Sequence, residues 1–172
     1  MANKNKSTWK DIVGTKRLYN NAFKDRDNVI KWDIFPVRDG ECLKLIFESK
    51  NSEWRQGVWL MCDQGITIYG RHTKNIFLWY DTSPKKVEFI CHTKNGLLSV
   101  YNIWDRGFGP NSLGYSSGML VEELPNGCRY RCNDIGFETN FDKLVFRIER
   151  IDKCTENKTL HSEGEQNTLD KS

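Results

Sequence analysis

The chain has no apolar run near the roughly 18 residues that a helical membrane span needs, so no membrane association is expected. Residues 1–8 are polar, and nothing after them resembles the apolar core of a secretory signal, which predicts a cytoplasmic protein. Charge of one sign is also scarce. Lys and Arg total 26 against 23 Asp and Glu, a net charge of +3. The basic pairs Lys16-Arg17 and Lys85-Lys86 stand alone, with no basic stripe and interleaved aromatics, so nucleic acid is not an expected partner. Histidine is limited to His72, His92 and His161. Neither a Gly-x-Ser-x-Gly elbow nor a phosphate-binding Walker loop occurs. Cys91 and His92 are adjacent in a strand pattern, so their side chains point to opposite faces and cannot form a nucleophile–base pair. No catalytic residue is assigned.

What is present suits one globular domain. The chain has 172 residues, 38% of them hydrophobic and 12% aromatic, with six Trp that need a core or a ligand. Six cysteines occur: Cys42, Cys62, Cys91, Cys128, Cys132 and Cys154. Cys42, Cys62 and Cys91 lie inside apolar strand patterns, where a thiol behaves as a small hydrophobe. Cys128 and Cys132 are four apart on one strand face, which is not a redox or zinc spacing. Six free thiols and no disulfide are expected in a reducing compartment.

The pattern predicts an all-β, antiparallel β-sandwich or jelly-roll of about nine or ten strands with a short N-terminal helix. Thr8-Trp9-Lys10-Asp11 suits a helix cap, and Trp9, Ile12, Val13, Tyr19 and Phe23 fall on one helical face. From Asn28 the period becomes two, as in Leu43, Leu45 and Phe47 or in Val58, Leu60 and Cys62. Lys94-Asn95-Gly96 and Pro125-Asn126-Gly127 read as hairpin turns. Residues 1–7 and 154–172 read as disordered ends around a single domain over 8–153.

Two loops and one strip carry the functional candidates. Residues 105–118 form a long Gly-rich connection in which Asp105, Phe108, Asn111, Ser112 and Tyr115 suit ligand stacking or hydrogen bonding; the alternative is an Ω-loop packed on itself. Trp59 and Trp79 sit at the opposite parity to their aliphatic neighbours. They form either an exposed platform for a sugar ring or partner protein, or a strip covered by the N-terminal helix with Trp9 and Phe23. Asp134, Glu138, Asn140 and Asp142 in the 133–143 loop are oxygen donors for calcium or members of an Asx-rich turn.

The stretch Asn140-Phe141-Asp142-Lys143-Leu144-Val145-Phe146 resembles the last-strand loop of small calcium-dependent bacterial lectins and related calcium-binding β-sandwiches. In those proteins the loop holds calcium ions that coordinate sugar hydroxyls. The resemblance covers about fifteen residues. It implies Asn140 and Asp142 as ligands, with Lys143 where the family has a further Asp. An ammonium there opposes a cation, so only weak, millimolar calcium binding is expected and no other cofactor. The reading at this point is a non-enzymatic binding module with carbohydrate as the leading ligand class. A protein-interaction module is the alternative, and a hydrolase using loop carboxylates is the third class.

Overall fold

The computed structural model describes residues 14–154. The expected disordered stretch 1–7, all of the expected tail 154–172 except Cys154, and the helix positions Trp9, Ile12 and Val13 lie outside these residues. Where the expected helix would continue, the chain is extended or turned, and no helix occurs among the described residues. None is therefore long and apolar enough to cross a membrane. The strands are β1 (Leu18–Tyr19), β2 (Ile30–Pro36), β3 (Cys42–Lys50), β4 (Arg55–Ile68), β5 (Arg71–Trp79), β6 (Lys86–Cys91), β7 (Leu97–Asp105), β8 (Pro110–Ser112), β9 (Gly118–Leu124), β10 (Gly127–Asn133) and β11 (Leu144–Ile151).

Eight of them close an antiparallel barrel in the order β2-β9-β10-β11-β3-β6-β4-β7 and back to β2. β1, β5 and β8 are outer strands on β2, β4 and β7. The expected sandwich or jelly-roll is thus corrected to a barrel, and the N-terminal helix is removed. Alternation marks an inner and an outer face in both architectures, so it does not separate them. The closing contacts do. Asp33–Pro36 of β2 pair with Leu97–Val100 of β7, and Ile30 pairs with Met119 of β9.

β4 sets the shape. Arg55–Cys62 pair with β7, the register shifts after Met61, and Ile66–Thr67 pair with β6. β6 and β7 therefore follow each other along β4. The Asn95-Gly96 turn joins them as a corner, with Gly96 at φ 76 and its amide donating to Thr93 Oγ1, and the expected hairpin between them does not form. The second expected turn does form one: Leu124 pairs with Gly127 across Pro125-Asn126.

The interior is filled by side chains from all eight barrel strands, among them Leu43, Leu45, Phe47, Val58, Leu60, Val87, Phe89, Val100 and Ile148. Tyr130 and Phe146 stack inside it at 4.8 Å between centroids. A carboxylate enters this core. The Asp33 carboxylate, 1% exposed, accepts the Tyr130 hydroxyl at 2.8 Å and Arg17 Nε at 2.7 Å. Arg17 so clips the chain before β1 to the barrel. Burial pushes the Tyr130 hydroxyl well up, so it stays a donor near neutral pH.

The outer surface has two characters. Over β10, β11 and β3 it is charged: Glu48 bridges Arg129 at 3.0 Å and Arg147 at 2.6 Å. Partial burial pushes the Glu48 carboxyl up, but hydrogen bonds from the two guanidinium groups outweigh it and hold the group below the usual range. Over β2, β7, β4 and β5 it is aromatic. Trp32, Tyr101, Trp59 and Phe77 form one cross-strand row, with Trp59 and Tyr101 stacked at 4.4 Å.

Cys42 and Cys154 form a disulfide, with Cα atoms 5.6 Å apart, which corrects the expectation of six free thiols. β11 pairs with β3 so that Ile151 faces Cys42, and this brings Cys154 alongside. Cys62, Cys91, Cys128 and Cys132 remain free. Cys62 and Cys91 are hydrogen-bonded in the core, and that contact with burial pushes the Cys91 thiol up. Such thiols are poor nucleophiles.

Candidate functional site

Antiparallel alternation places the loops 20–29, 51–54, 80–85, 106–117 and 134–143 at one end of the barrel. The two loops singled out from the sequence meet there. Asn133, at the end of β10, locks them together. Its Nδ2 donates to Ser116 O at 2.8 Å and Gly136 O at 2.7 Å, and its Oδ1 accepts Thr139 Oγ1 at 2.9 Å. Gly136 N donates to Ser116 Oγ, and Asn102 Nδ2 donates to the Asn133 carbonyl. Asn20 adds a third loop by donating to the carbonyls of Tyr115 and Ser117. All three Asn side chains are buried, so their hydrogen bonds are made in a low-dielectric setting and fix the loops.

On this frame sit exposed apolar side chains. Phe108 is 94% exposed and Tyr115 73%, while Ile135 and Phe137 are each 45%. Tyr115 and Phe137 meet edge to face at 5.5 Å, and Phe137 rests on buried Phe23 at 5.0 Å. Phe108 stands at a turn between Gly107 (φ 105) and Gly109 (φ 109), angles that side chains rarely adopt. Asp105 Oδ1 accepts both glycine amides, at 2.7 and 3.1 Å, so the carboxylate shapes the turn from within. Asn111 donates to the Gly109 carbonyl, and Ser112 pairs with Ile103 in β8. Much of the supposed long loop is thus a short outer hairpin.

Beside this crest lies an open cleft of about 640 Å³, lined by Lys50, Glu53, Trp54, Asp134, Ile135 and Lys143 among others. The Arg106 guanidinium covers the Trp54 ring at 4.8 Å. Neither lysine has an ion-pair partner among the described residues, so the cleft carries two ammonium groups, with the Glu53 carboxylate beside them, next to the apolar crest.

The four expected calcium donors are not gathered. Asp134 is turned inward, where Oδ2 accepts Gln56 Nε2 at 2.9 Å and Ser52 Oγ at 3.3 Å, and Oδ1 accepts the Ile135 amide. Asp142 accepts Asn51 Nδ2 at 2.8 Å. Glu138 and Asn140 are exposed. No group of three His, Cys, Asp or Glu placed for a metal occurs among the described residues.

The lectin-like, carbohydrate-binding expectation is corrected as well. The sandwich it rested on is a barrel, and the tryptophan faces offered as its platform are covered. Trp59 is buried, its ring covered by Tyr101 and flanked by Trp32 at 5.5 Å. The Arg55 guanidinium lies over Trp79 at 4.4 Å. Trp59 lies on the barrel wall, and Trp79 ends the outer strand β5. The strip is not covered by Phe23 either, since that ring packs with Val29 and Phe141 at the loop end. Trp104 of β7 is buried as well.

Asn133 and Asn102 were not singled out by sequence reasoning. Asn102 shares the inward parity of Val100, a polar residue where an apolar one is expected, while Asn133, directly after inward Cys132, carries no such signal. The chain matches no protein family model, and no curated protein matches it.

Proposed function

We propose that the protein is a binding module that takes a partner protein on the loop end of its barrel. One observation carries the reading: Phe108, 94% exposed, is held at a fixed turn by the Asp105 carboxylate. An aromatic ring left in water costs free energy unless a partner buries it. A ring already fixed in place loses little freedom on binding, which is how anchor residues gain affinity. Tyr115, Phe137 and Ile135 extend the apolar area, and Lys50 and Lys143 supply a charged rim.

The test places a photo-crosslinking amino acid at position 108 and, separately, at exposed Arg131 on the barrel wall, in the cells that make the protein. A defined adduct from 108 and none from 131 is expected. The identified partner, purified, should then bind Phe108→Ala at least about tenfold more weakly, the loss typical of a central anchor. Equal adducts from both positions, or unchanged affinity of Phe108→Ala, would overturn the proposal.

A further inference from the structure

We propose that β5 is a self-association edge, pairing antiparallel with β5 of a second copy about a two-fold axis at Phe77. β5 hydrogen-bonds only β4 among the described residues, so its far edge carries unpaired backbone groups. Which residues present them follows from one bond. Tyr80 N donates to Gln56 O at 2.9 Å, so even-numbered residues at this end of β5 bond inward to β4. Asn75, Phe77 and Trp79 then direct their amides and carbonyls outward. The Asn75 carbonyl accepts Thr73 Oγ1 and the Trp79 carbonyl accepts the Ser83 amide, each at 2.9 Å. The Phe77 amide and carbonyl are therefore the open centre of the row, flanked by the Asn75 and Trp79 amides and by carbonyls that keep a second lone pair. Before Asn75 the ladder slips, from Met61 opposite Asn75 to Ile66 opposite Thr73, so the regular outward row begins at Asn75. Its centre is Phe77.

The segment Asn75-Ile76-Phe77-Leu78-Trp79 has no charge and no proline, the two devices that usually guard an exposed edge. Antiparallel pairing about Phe77 sets Asn75 opposite the partner's Trp79 and Ile76 opposite the partner's Leu78. Lys74 falls opposite the partner's Tyr80, so no like charges meet. An apolar segment of this kind fits a second copy of itself better than it fits a charged strand. The outer aromatic row ends at this edge with Phe77 48% exposed. Pairing places the partner's Phe77 next in the row, so Trp32, Tyr101, Trp59 and Phe77 continue into their symmetry mates as one belt. Facing aromatic pairs are among the stronger cross-strand contacts. A groove of about 550 Å³ between Tyr69 and Phe77 borders the same edge.

Sedimentation velocity over about 1–100 µM reads the association, and cysteine crosslinking reads the register. A dimer is expected, weakened at least tenfold in Phe77→Lys, with near-UV circular dichroism unchanged because the site is exposed. Under mild oxidation Phe77→Cys should give a 77–77 disulfide dimer, identified by peptide mapping. Asn75→Cys should not, because its opposite residue is the partner's Trp79. A monomer at 100 µM, a dimer indifferent to Phe77→Lys, or a 75–75 crosslink as efficient as 77–77 would each overturn the proposal.

Discussion

Replacing Tyr130 by Phe removes one oxygen from the barrel interior and little else. The ring keeps its stack on Phe146 and its volume, so no cavity opens. What is lost is the hydroxyl that donates to Asp33 Oδ2 at 2.8 Å. Asp33 is 1% exposed, and Arg17 still holds its other oxygen. A hydrogen bond to a buried charge contributes about 1.5–3 kcal/mol, because water does not replace the lost donor. For a domain of this size that corresponds to a melting temperature lower by about 3–10 °C. Urea unfolding should show the midpoint falling with the slope unchanged, since the surface exposed on unfolding is the same. Arg17 is partly exposed, so its removal exposes the carboxylate to some water. In a double-mutant cycle, Arg17→Met with Tyr130→Phe should couple by about 0.5–3 kcal/mol, because both donors serve one carboxylate. A cost below about 0.5 kcal/mol for Tyr130→Phe would refute the view that Asp33 depends on this donor.

Two further outcomes concern the barrel wall. Cys42→Ser, or reduction of the wild type, removes a link spanning 112 residues, for which loop-closure entropy gives up to about 5 kcal/mol; thermal melting with and without reductant should show the same downward shift for the variant and the reduced protein, and no shift would deny the bond a role. The Glu48 carboxyl has a lowered pKa in the fold, so its stabilisation is complete above the unfolded value near 4.3 and is lost as pH falls through the folded value. Glu48→Gln should therefore flatten the acid limb of the stability–pH curve below about pH 5, and a curve parallel to the wild type would exclude the linkage.

Local chemistry carried much of the outline. The alternation of Leu43, Leu45 and Phe47 placed them inward, and Pro125-Asn126 made a two-residue hairpin because β9 and β10 pair with each other along their whole length. The barrel was not legible, because closure rests on Ile30 meeting Met119 and Asp33 meeting Val100, pairs far apart in sequence. The same non-local pairing hid the Cys42–Cys154 bond: each cysteine looks ordinary until β11 lies on β3. Asn95-Gly96 specified a reversal but not its partners, and β4 claimed both flanking strands. At the loop end, glycines at 107 and 109 marked a special turn. Whether Asp105 and Asp134 faced outward as ligands or inward as braces depended on amides and a glutamine that no spacing reveals.

The disulfide divides the barrel unequally. Seven of its strands, β3 through β11 without the outer ones, lie inside the covalent ring from Cys42 to Cys154, and β2 alone lies outside it. β2 is also the strand with the thinnest seam, a single registered pair with β9. Its hold is four pairs on β7, plus the Asp33 carboxylate gripped by Tyr130 and Arg17. Release of β2 opens the barrel along one line while the remaining strands stay tethered. Amide hydrogen exchange should then follow two regimes, with the Asp33 and Phe35 amides and the facing Leu98 and Val100 amides freed in a shared sub-global opening of low energy. Leu43–Phe47 amides exchange only when the tethered part unfolds.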